Sequence, residues 1–177
     1  MATPDFILRL REKVGHEMLW LTGVTAVVVR GDDVLLVERG DNSMITPVTG
    51  IVDPGEQPAV AAVREVAEEA DIIAEADALV QVRSLPPMRY ANGDEAQYLD
   101  IVFRCRYVSG EPHPADGENV SAWWHPVADL DAAGLNADML DRVRAALEHA
   151  GTARFETEPV SPAKAHPSSA VSAEADA

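Results

Sequence analysis

The sequence predicts an α/β fold in which a mixed β-sheet lies between helices, an α/β/α sandwich. Three observations support this prediction. Runs of apolar and β-branched residues bounded by turn residues indicate several strands. The first two runs are joined by a tight turn at 31–33, which indicates a hairpin. One helix divides the strands into two groups and another follows the last strand, so helices can cover both faces of the sheet.

Residue spacing predicts the individual elements. A helix is expected at 4–15, because apolar residues recur there at helical spacing and Gly15 ends the pattern. The hairpin joins strands at 18–30 and 34–39. Further strands are predicted at 45–52, 78–84, 97–108 and 121–126, and a last helix at 136–150.

The chain has 177 residues, which suits one domain of ordinary size. We expect an N-terminal helical segment at 1–17, a single domain at 18–151 and a disordered tail at 152–177. The tail is predicted because proline, serine, alanine and glutamate dominate it and the apolar periodicity stops.

The stretch from Gly50 to Ile72 carries the strongest functional signal. It begins as a glycine turn and continues as a helix with Pro58 in its first turn, where a missing N–H costs nothing. The apolar face of this helix is expected to contain Val63, Val66, Ala67 and Ala70. The opposite side is expected to carry Arg64, Glu65, Glu68 and Glu69.

The three glutamates of this helix are close enough to repel one another. Glu65 precedes Glu68 and Glu69 by three and four residues, the spacings at which helical side chains are neighbours. Such like-charge pairs destabilise a helix by about 0.2–0.5 kcal/mol each. Mg²⁺ or Mn²⁺ would offset the repulsion, because carboxylate oxygens are hard ligands. Taken alone, the three glutamates also allow a solvated acidic face.

The residues around the glutamates favour the metal site. From Gly50 onward, Glu56, Arg64-Glu65, Glu68-Glu69 and Ile72 follow at spacings that resemble the Nudix box, Gly-x5-Glu-x7-Arg-Glu-U-x-Glu-Glu-x-Gly-U with U aliphatic. One position differs, because Asp71 replaces the last glycine. A left-handed residue often ends a helix at this point, and Asp tolerates that conformation better than most residues. We therefore expect Asp71 to be tolerated.

The resemblance to the Nudix hydrolase family implies the roles of the box residues. It implies Mg²⁺ or Mn²⁺ as the cofactor, with Glu65, Glu68, Glu69 and the backbone carbonyl of Gly50 as metal ligands. It also implies that Arg64 pairs with box glutamates and orients them, and its expected partners are Glu56 and Glu68.

The general base stays open at this point. Glu65 or Glu69 could fill the role, and so could Glu118 in a downstream loop, with Glu95 as a further alternative. The expected catalytic residues are Arg64, Glu65, Glu69 and Glu118.

The resemblance implies that water attacks the P–O–P bridge of a nucleoside diphosphate linked to another moiety. Nucleoside triphosphates, oxidised deoxynucleoside triphosphates and ADP-ribose are all candidate substrates. Loop 85–94 and the segment around Trp123 should shape the pocket, where Met88 and Tyr90 could stack on a base or simply cover the core. The alternative function is a nucleotide-sensing Nudix domain that regulates without cleaving.

Composition limits the partners and the location. The net charge of −16 argues against binding a nucleic-acid polymer, whereas cations could still admit a small phosphorylated substrate. No apolar run is long enough for a membrane helix, and the N-terminal residues lack a secretory pattern. Together with the single cysteine, Cys105, which we expect to be buried and inert, this predicts a cytoplasmic protein. A homodimer formed through the N-terminal helix is a further expectation.

Overall fold

The computed structural model describes residues 3–160. Its helices are α1 (Asp5–Val14), α2 (Pro58–Ala70) and α3 (Ala137–Leu147), with a short 3₁₀ helix at Val127–Ala132. Its strands are β1 (Leu19–Arg30), β2 (Asp33–Arg39), β3 (Ile45–Thr46), β4 (Val48–Ile51), β5 (Ile73–Ser84), β6 (Met88–Arg89), β7 (Glu95–Ser109), β8 (Asn119–Pro126) and β9 (Arg154–Phe155).

These strands form one mixed sheet. Its main path runs β3-β2-β1-β7-β5-β9, while β4 pairs with β1, β6 with β7 and β8 with β2. The long strands β1 and β7 run parallel, and β5 is antiparallel to β7. The predicted hairpin is present, with Arg30 opposite Asp33 in β1 and β2.

The two faces of the sheet carry separate apolar cores. Successive residues of a strand point to opposite faces, and β1 shows this clearly. Val24, Ala26 and Val28 pack in the core that contains the apolar residues of α2. Val27 packs in the core that contains Val143 of α3. This is the sheet between helices that the sequence predicted.

The structure corrects two strand predictions. Residues 45–52 form β3 and β4 instead of one strand, because Pro47 between them has no N–H for the ladder. Strand β5 begins at Ile73 instead of residue 78. The first residues of this strand were not predicted because acidic residues interrupt its apolar pattern. In the structure these acidic residues pair with arginines of β7: Glu75 pairs with one of them, and Asp77 Oδ1 lies 2.9 Å from Arg104 Nε.

Two further segments differ from their predictions. Loop 85–94 contains the two-residue strand β6, which pairs with β7. The predicted tail at 152–177 contains β9, which runs parallel to β5 with Gln81 opposite Arg154. An edge strand offers free backbone groups, and β9 occupies those of β5. Residues 161–177 lie outside the described part of the chain.

A buried polar group ties α3 to the sheet. Thr25 Oγ1 donates a hydrogen bond to Asp100 Oδ1 at 2.9 Å and accepts one from Arg142 Nη1 at 3.1 Å. Arg142 Nε lies 3.3 Å from Asp100 Oδ2. Both charged side chains are buried. Within residues 3–160, no helix has the length and apolar character that a membrane crossing requires.

Candidate active site

Helix α2 carries most of the box and packs directly against β4. Pro58 occupies the first turn of the helix, as the sequence predicted. The preceding turn is closed by a backbone hydrogen bond from Glu56 N to Asp53 O at 3.0 Å. A second bond runs from Asp53 N to Glu56 Oε2 at 3.2 Å. The turn thus places the Glu56 carboxylate beside the start of α2.

The three helical glutamates do not share one solvent-facing side, which corrects the sequence prediction. Glu65 and Glu69 are buried, at 7% and 2% exposure, whereas the side chain of Glu68 is 54% exposed. Glu65 and Glu69 lie one turn apart and follow the line of Ala61, which is buried against the sheet. The buried face of α2 therefore includes Glu65 and Glu69 as well as its aliphatic residues.

Glu65 lies against the backbone of Gly50. A Cβ added to Gly50 would lie only 2.2 Å from Cγ and Cδ of Glu65. Burial raises the pKa of Glu65, and Arg64 opposes this effect. The expected metal-ligand pair of Gly50 and Glu65 is thus brought into contact.

Arg64 is engaged by carboxylates on both sides. Its Nε and Nη2 donate to Glu56 Oε1 and Oε2 at 2.9 and 3.0 Å, a bidentate pair. Its Nη1 donates to Glu68 Oε2 at 2.9 Å and lies 3.0 Å from Glu65 Oε1. Both expected partners, Glu56 and Glu68, are present. Arg64 orients carboxylates and is not free for a substrate.

Glu69 is held by a residue that the sequence did not single out. Asn119 Nδ2 donates to Glu69 Oε2 at 3.0 Å, and both side chains are buried. The other oxygen, Oε1, is buried and has no hydrogen-bond partner among residues 3–160. Burial raises the pKa of Glu69 to about 7, while the bond from Asn119 acts in the opposite direction. The one feature of the sequence that could have drawn attention to Asn119 is its position next to Glu118.

Glu118 lies at the end of the loop after β7, next to Asn119. The backbone carbonyl of Glu118 accepts from Gly40 N at 2.8 Å, and its side chain is half-buried. The same loop donates from His113 N to Ala70 O at 3.2 Å and from Ala115 N to Glu69 O at 3.4 Å. The loop thereby caps the last carbonyls of α2. The catalytic role of Glu118 remains a prediction.

Asp71 ends α2 in the left-handed conformation that was expected. Its φ and ψ are 53° and 33°, and its N–H donates to Ala67 O at 3.2 Å. Its carboxylate oxygen Oδ2 lies 3.5 Å from His113 Nδ1. The replacement of glycine therefore leaves the helix ending intact.

Of the three expected substrate residues, Tyr90 is the one that the structure links to the box, through Tyr98. Tyr90 OH is hydrogen-bonded to Tyr98 OH at 2.8 Å, and Met88 is exposed on β6. The Tyr98 ring lies beside Gly23, which neighbours the Gly50 carbonyl. Trp123 does not join them. It packs on the opposite face of the sheet in the α3 core, because it alternates with Trp124 along β8.

Arg39 is a further side chain that the sequence did not identify. It donates from Nε and Nη2 to the Asp41 carboxylate at 3.0 and 2.9 Å. Its hydrogen bond to Asp41 raises its pKa, and electrostatic attraction to Glu69 and Tyr90 adds to this effect. Arg39 is therefore engaged by Asp41 in a bidentate pair.

The box glutamates carry the hard oxygen donors that suit a divalent cation. Across residues 3–160, no three His, Cys, Asp or Glu side chains are arranged as a metal-binding group. The reason is that Arg64 holds Glu68 at the surface and contacts Glu65. Glu69 Oε1 is nevertheless a buried carboxylate oxygen without a partner, which is costly unless a cation satisfies it.

Comparisons with known proteins agree with this geometry. The family model of the NUDIX domain matches residues 20–146. A NUDIX hydrolase from Nitrosomonas europaea is 26% identical, covering 72% of this chain and 88% of that chain with a TM-score of 0.58. The chain belongs to the NUDIX family. The prediction of a hydrolase of this family is thereby confirmed.

Two other solved structures share the fold at lower identity. An ADP-ribose pyrophosphatase from Streptococcus suis is 21% identical, covering 77% of this chain and 98% of that chain with a TM-score of 0.57. The NUDIX domain of Shewanella oneidensis NrtR, complexed with ADP ribose, is 18% identical, with coverages of 82% and 98% and a TM-score of 0.60. No curated protein matches the chain.

Proposed function

We propose that this protein is a Mg²⁺- or Mn²⁺-dependent pyrophosphohydrolase of a small nucleotide derivative. The observation that carries the proposal is the pair of buried carboxylates, Glu65 and Glu69, on one face of α2. One oxygen of Glu69 is held by an amide, and the other has no hydrogen-bond partner in the described part of the chain. A buried anionic pair of this kind is costly in a purely structural role.

The proposed chemistry assigns a task to each group. A bound divalent cation would neutralise pyrophosphate oxygens and lower the pKa of a water molecule. Glu65, Glu69 and the Gly50 carbonyl would hold the cation, and Glu68 would join them on leaving Arg64. Arg64 keeps Glu56 and Glu65 oriented.

Hydrolysis of the P–O–P bridge then needs one proton acceptor. Water adds to one phosphorus, the bridging P–O bond breaks, and the water proton passes to a carboxylate. Glu65, Glu69 and Glu118 all remain candidates for that base. The half-buried Glu118 lies on the loop that caps α2, which keeps it close to the helix.

We favour an ADP-ribose-type substrate within this class. Two solved structures with the same fold are an ADP-ribose pyrophosphatase and a domain complexed with ADP ribose. The exposed ring of Tyr90 offers a flat surface on which a base can stack, and Met88 on the same loop is also exposed.

The decisive experiment measures phosphate release from a nucleotide panel in Mg²⁺. The panel contains ADP-ribose, a dinucleoside polyphosphate, a sugar nucleotide, ordinary dNTPs and 8-oxo-dGTP, with a phosphatase added where the product is a phosphate monoester. Wild type is compared with Glu69→Gln and with Glu75→Gln, an exposed glutamate of β5 outside the site. We expect turnover of one compound that is lost only in Glu69→Gln.

Other outcomes separate the alternatives. Equal turnover by wild type and Glu69→Gln would rule out the box as the active site. Tight binding of one compound without turnover, in both Mg²⁺ and Mn²⁺, would support a nucleotide-sensing domain instead. We also propose that the protein acts in the cytoplasm, where its buried free thiol Cys105 would stay reduced. The homodimer remains a prediction.

A further inference from the structure

We propose that Asn119 is a positioning residue for the metal site, which holds one oxygen of Glu69 so that the other faces the cation. This inference rests on the proposed function, because it concerns the same site. It assigns a role to a side chain outside the box, about fifty positions further along the chain.

The hydrogen bond between Asn119 and Glu69 is buried and of normal length, so Asn119 can hold the Glu69 carboxylate in place. Asn119 Nδ2 lies 3.0 Å from Glu69 Oε2. Asn119 is 5% exposed and Glu69 is 2% exposed, so bulk water does not compete for the bond. Glu69 Oε1 is buried, and none of the residues that the structure describes forms a hydrogen bond with it. The amide thus engages one oxygen and leaves the second one available.

An amide has the right chemistry for this task. Its NH₂ group donates a hydrogen bond without carrying a charge, so it fixes the carboxylate and leaves its negative charge for a cation. A lysine or arginine in the same place would compete with the cation for Glu69. An aspartate would repel Glu69 instead. Outer groups of this kind commonly orient metal ligands and tune the affinity of the site.

A β-bulge brings Asn119 to the site. Strands β2 and β8 pair regularly from Asp33 opposite Pro126 to Glu38 opposite Ser121. Regular pairing would then place Val120 opposite Arg39. The register shifts at this point, and Asn119 lies opposite Arg39 instead. Val120 is left 59% exposed.

The side of the sheet on which Arg39 lies determines which face the residue opposite it occupies. Along β2, Leu35 and Val37 belong to the core on the α2 face of the sheet, and Arg39 continues that alternation. The residue opposite Arg39 therefore also faces α2. The extra residue in β8 makes that residue an amide instead of a valine, and bulges are known to redirect side chains beside active sites.

The test compares Asn119→Leu, which keeps the approximate size and removes the donor, with Ser121→Ala. Ser121 is a matched control, because it lies in the same strand and its hydroxyl donates to a carboxylate outside the site, Glu38 Oε2 at 3.2 Å. The readout is Mn²⁺ affinity, measured from the electron paramagnetic resonance signal of free Mn²⁺. Melting temperatures without metal report the structural effect separately.

We expect Asn119→Leu to weaken Mn²⁺ binding by about 10- to 100-fold, the range typical of lost outer-shell contacts. Ser121→Ala should stay within about twofold of wild type. The kcat of the variant should fall more than the KM for the nucleotide changes, since Asn119 contacts Glu69 and is assigned no substrate contact. Unchanged Mn²⁺ affinity in folded Asn119→Leu would overturn the proposal, even with a lowered melting temperature.

Asn119→Ala serves as the second variant, because a smaller side chain avoids crowding if leucine does not fold. It is expected to lose Mn²⁺ affinity in the same range, and wild-type affinity in this variant would also overturn the proposal. Wild type that binds Mn²⁺ but cleaves no nucleotide would contradict the proposed function alone. Wild type that binds no Mn²⁺ would contradict both.

Discussion

Glu65 occupies the space directly above the α-carbon of Gly50. Its Cγ and Cδ lie where a Cβ at Gly50 would approach to 2.2 Å, and its Oε1 would be 2.3 Å from that Cβ. Because any larger residue would push the carboxylate away, β4 and α2 can meet here only through glycine. Glu65 can therefore pack in this position because the first residue of the box is glycine.

Gly50→Ala should displace Glu65 and lower hydrolysis by about 100-fold or more, since a shift of about 1 Å in an active-site group can cost this much. The measurement is the hydrolysis rate in Mg²⁺, with circular dichroism to verify folding. Gly23→Ala in the neighbouring strand is the control, because the nearest atom to its Cβ would be Tyr98 Cδ1 at 3.4 Å. Equal rates in the two variants would contradict the packing argument.

Arg142→Met should destabilise the fold by about 3–5 kcal/mol, because it leaves Asp100 buried without its cation. The double variant Arg142→Met/Asp100→Asn should recover at least half of that loss, since neither side chain then carries a charge. Urea unfolding measures both values. If the two substitutions are simply additive, the buried pair is not the source of the effect.

The cost of Arg142→Met should depend on pH. Burial raises the pKa of Asp100 above its usual 3.8, while Arg142, Thr25 and Arg83 lower it and Asp138 raises it. A raised carboxyl pKa stabilises the fold fully below the unfolded value, and this contribution is lost as pH rises through the folded value. Removing Arg142 raises the pKa further, so the deficit should be larger at pH 7 than at pH 4. Equal deficits would refute this account.

The effect of a substitution at Asp71 on stability should depend on how easily the new residue adopts the left-handed conformation. Asp71→Gly should stabilise the protein by about 0.5–1 kcal/mol, because glycine adopts a positive φ without steric cost. Asp71→Asn should be close to neutral, and Asp71→Ala should destabilise by about 1 kcal/mol. Thermal or urea unfolding ranks the series. A ranking with alanine above glycine would show that the conformation does not limit stability.

The thiol of Cys105 should not react in the native protein. Cys105 is fully buried on β7, and burial raises its pKa to about 12. Since the thiolate is the reactive form, a disulfide reagent such as DTNB should label the thiol only after denaturation. Labelling of native protein at the rate of a free thiol would mean that β7 opens readily.

The box was predictable because its geometry is local. Helical spacing and a short turn bring Arg64 close to Glu56 and Glu68, and these contacts are present. The helix ending at Asp71 likewise follows from one residue and its neighbours. Local spacing did not reveal that Glu65 and Glu69 turn inward, because that depends on where the sheet lies.

The rest of the site depends on strand pairing, which no local pattern contains. Trp123 and Trp124 are adjacent in sequence, yet they belong to opposite cores once β8 pairs with β2. Asn119 faces α2 only because of the bulge after Glu38. A single extra residue exchanges the two faces of a strand, so the sequence alone could not distinguish Asn119 from Val120.

The contact between Asn119 and Glu69 also has a consequence for how the protein is made. A ribosome synthesises all of the box before it reaches β8, so the nascent chain carries every box glutamate without the amide that holds one of them. The site is complete only after the last long strand has paired with β2, an early one. Truncation before residue 119 would therefore keep the whole box while removing the support of its central carboxylate.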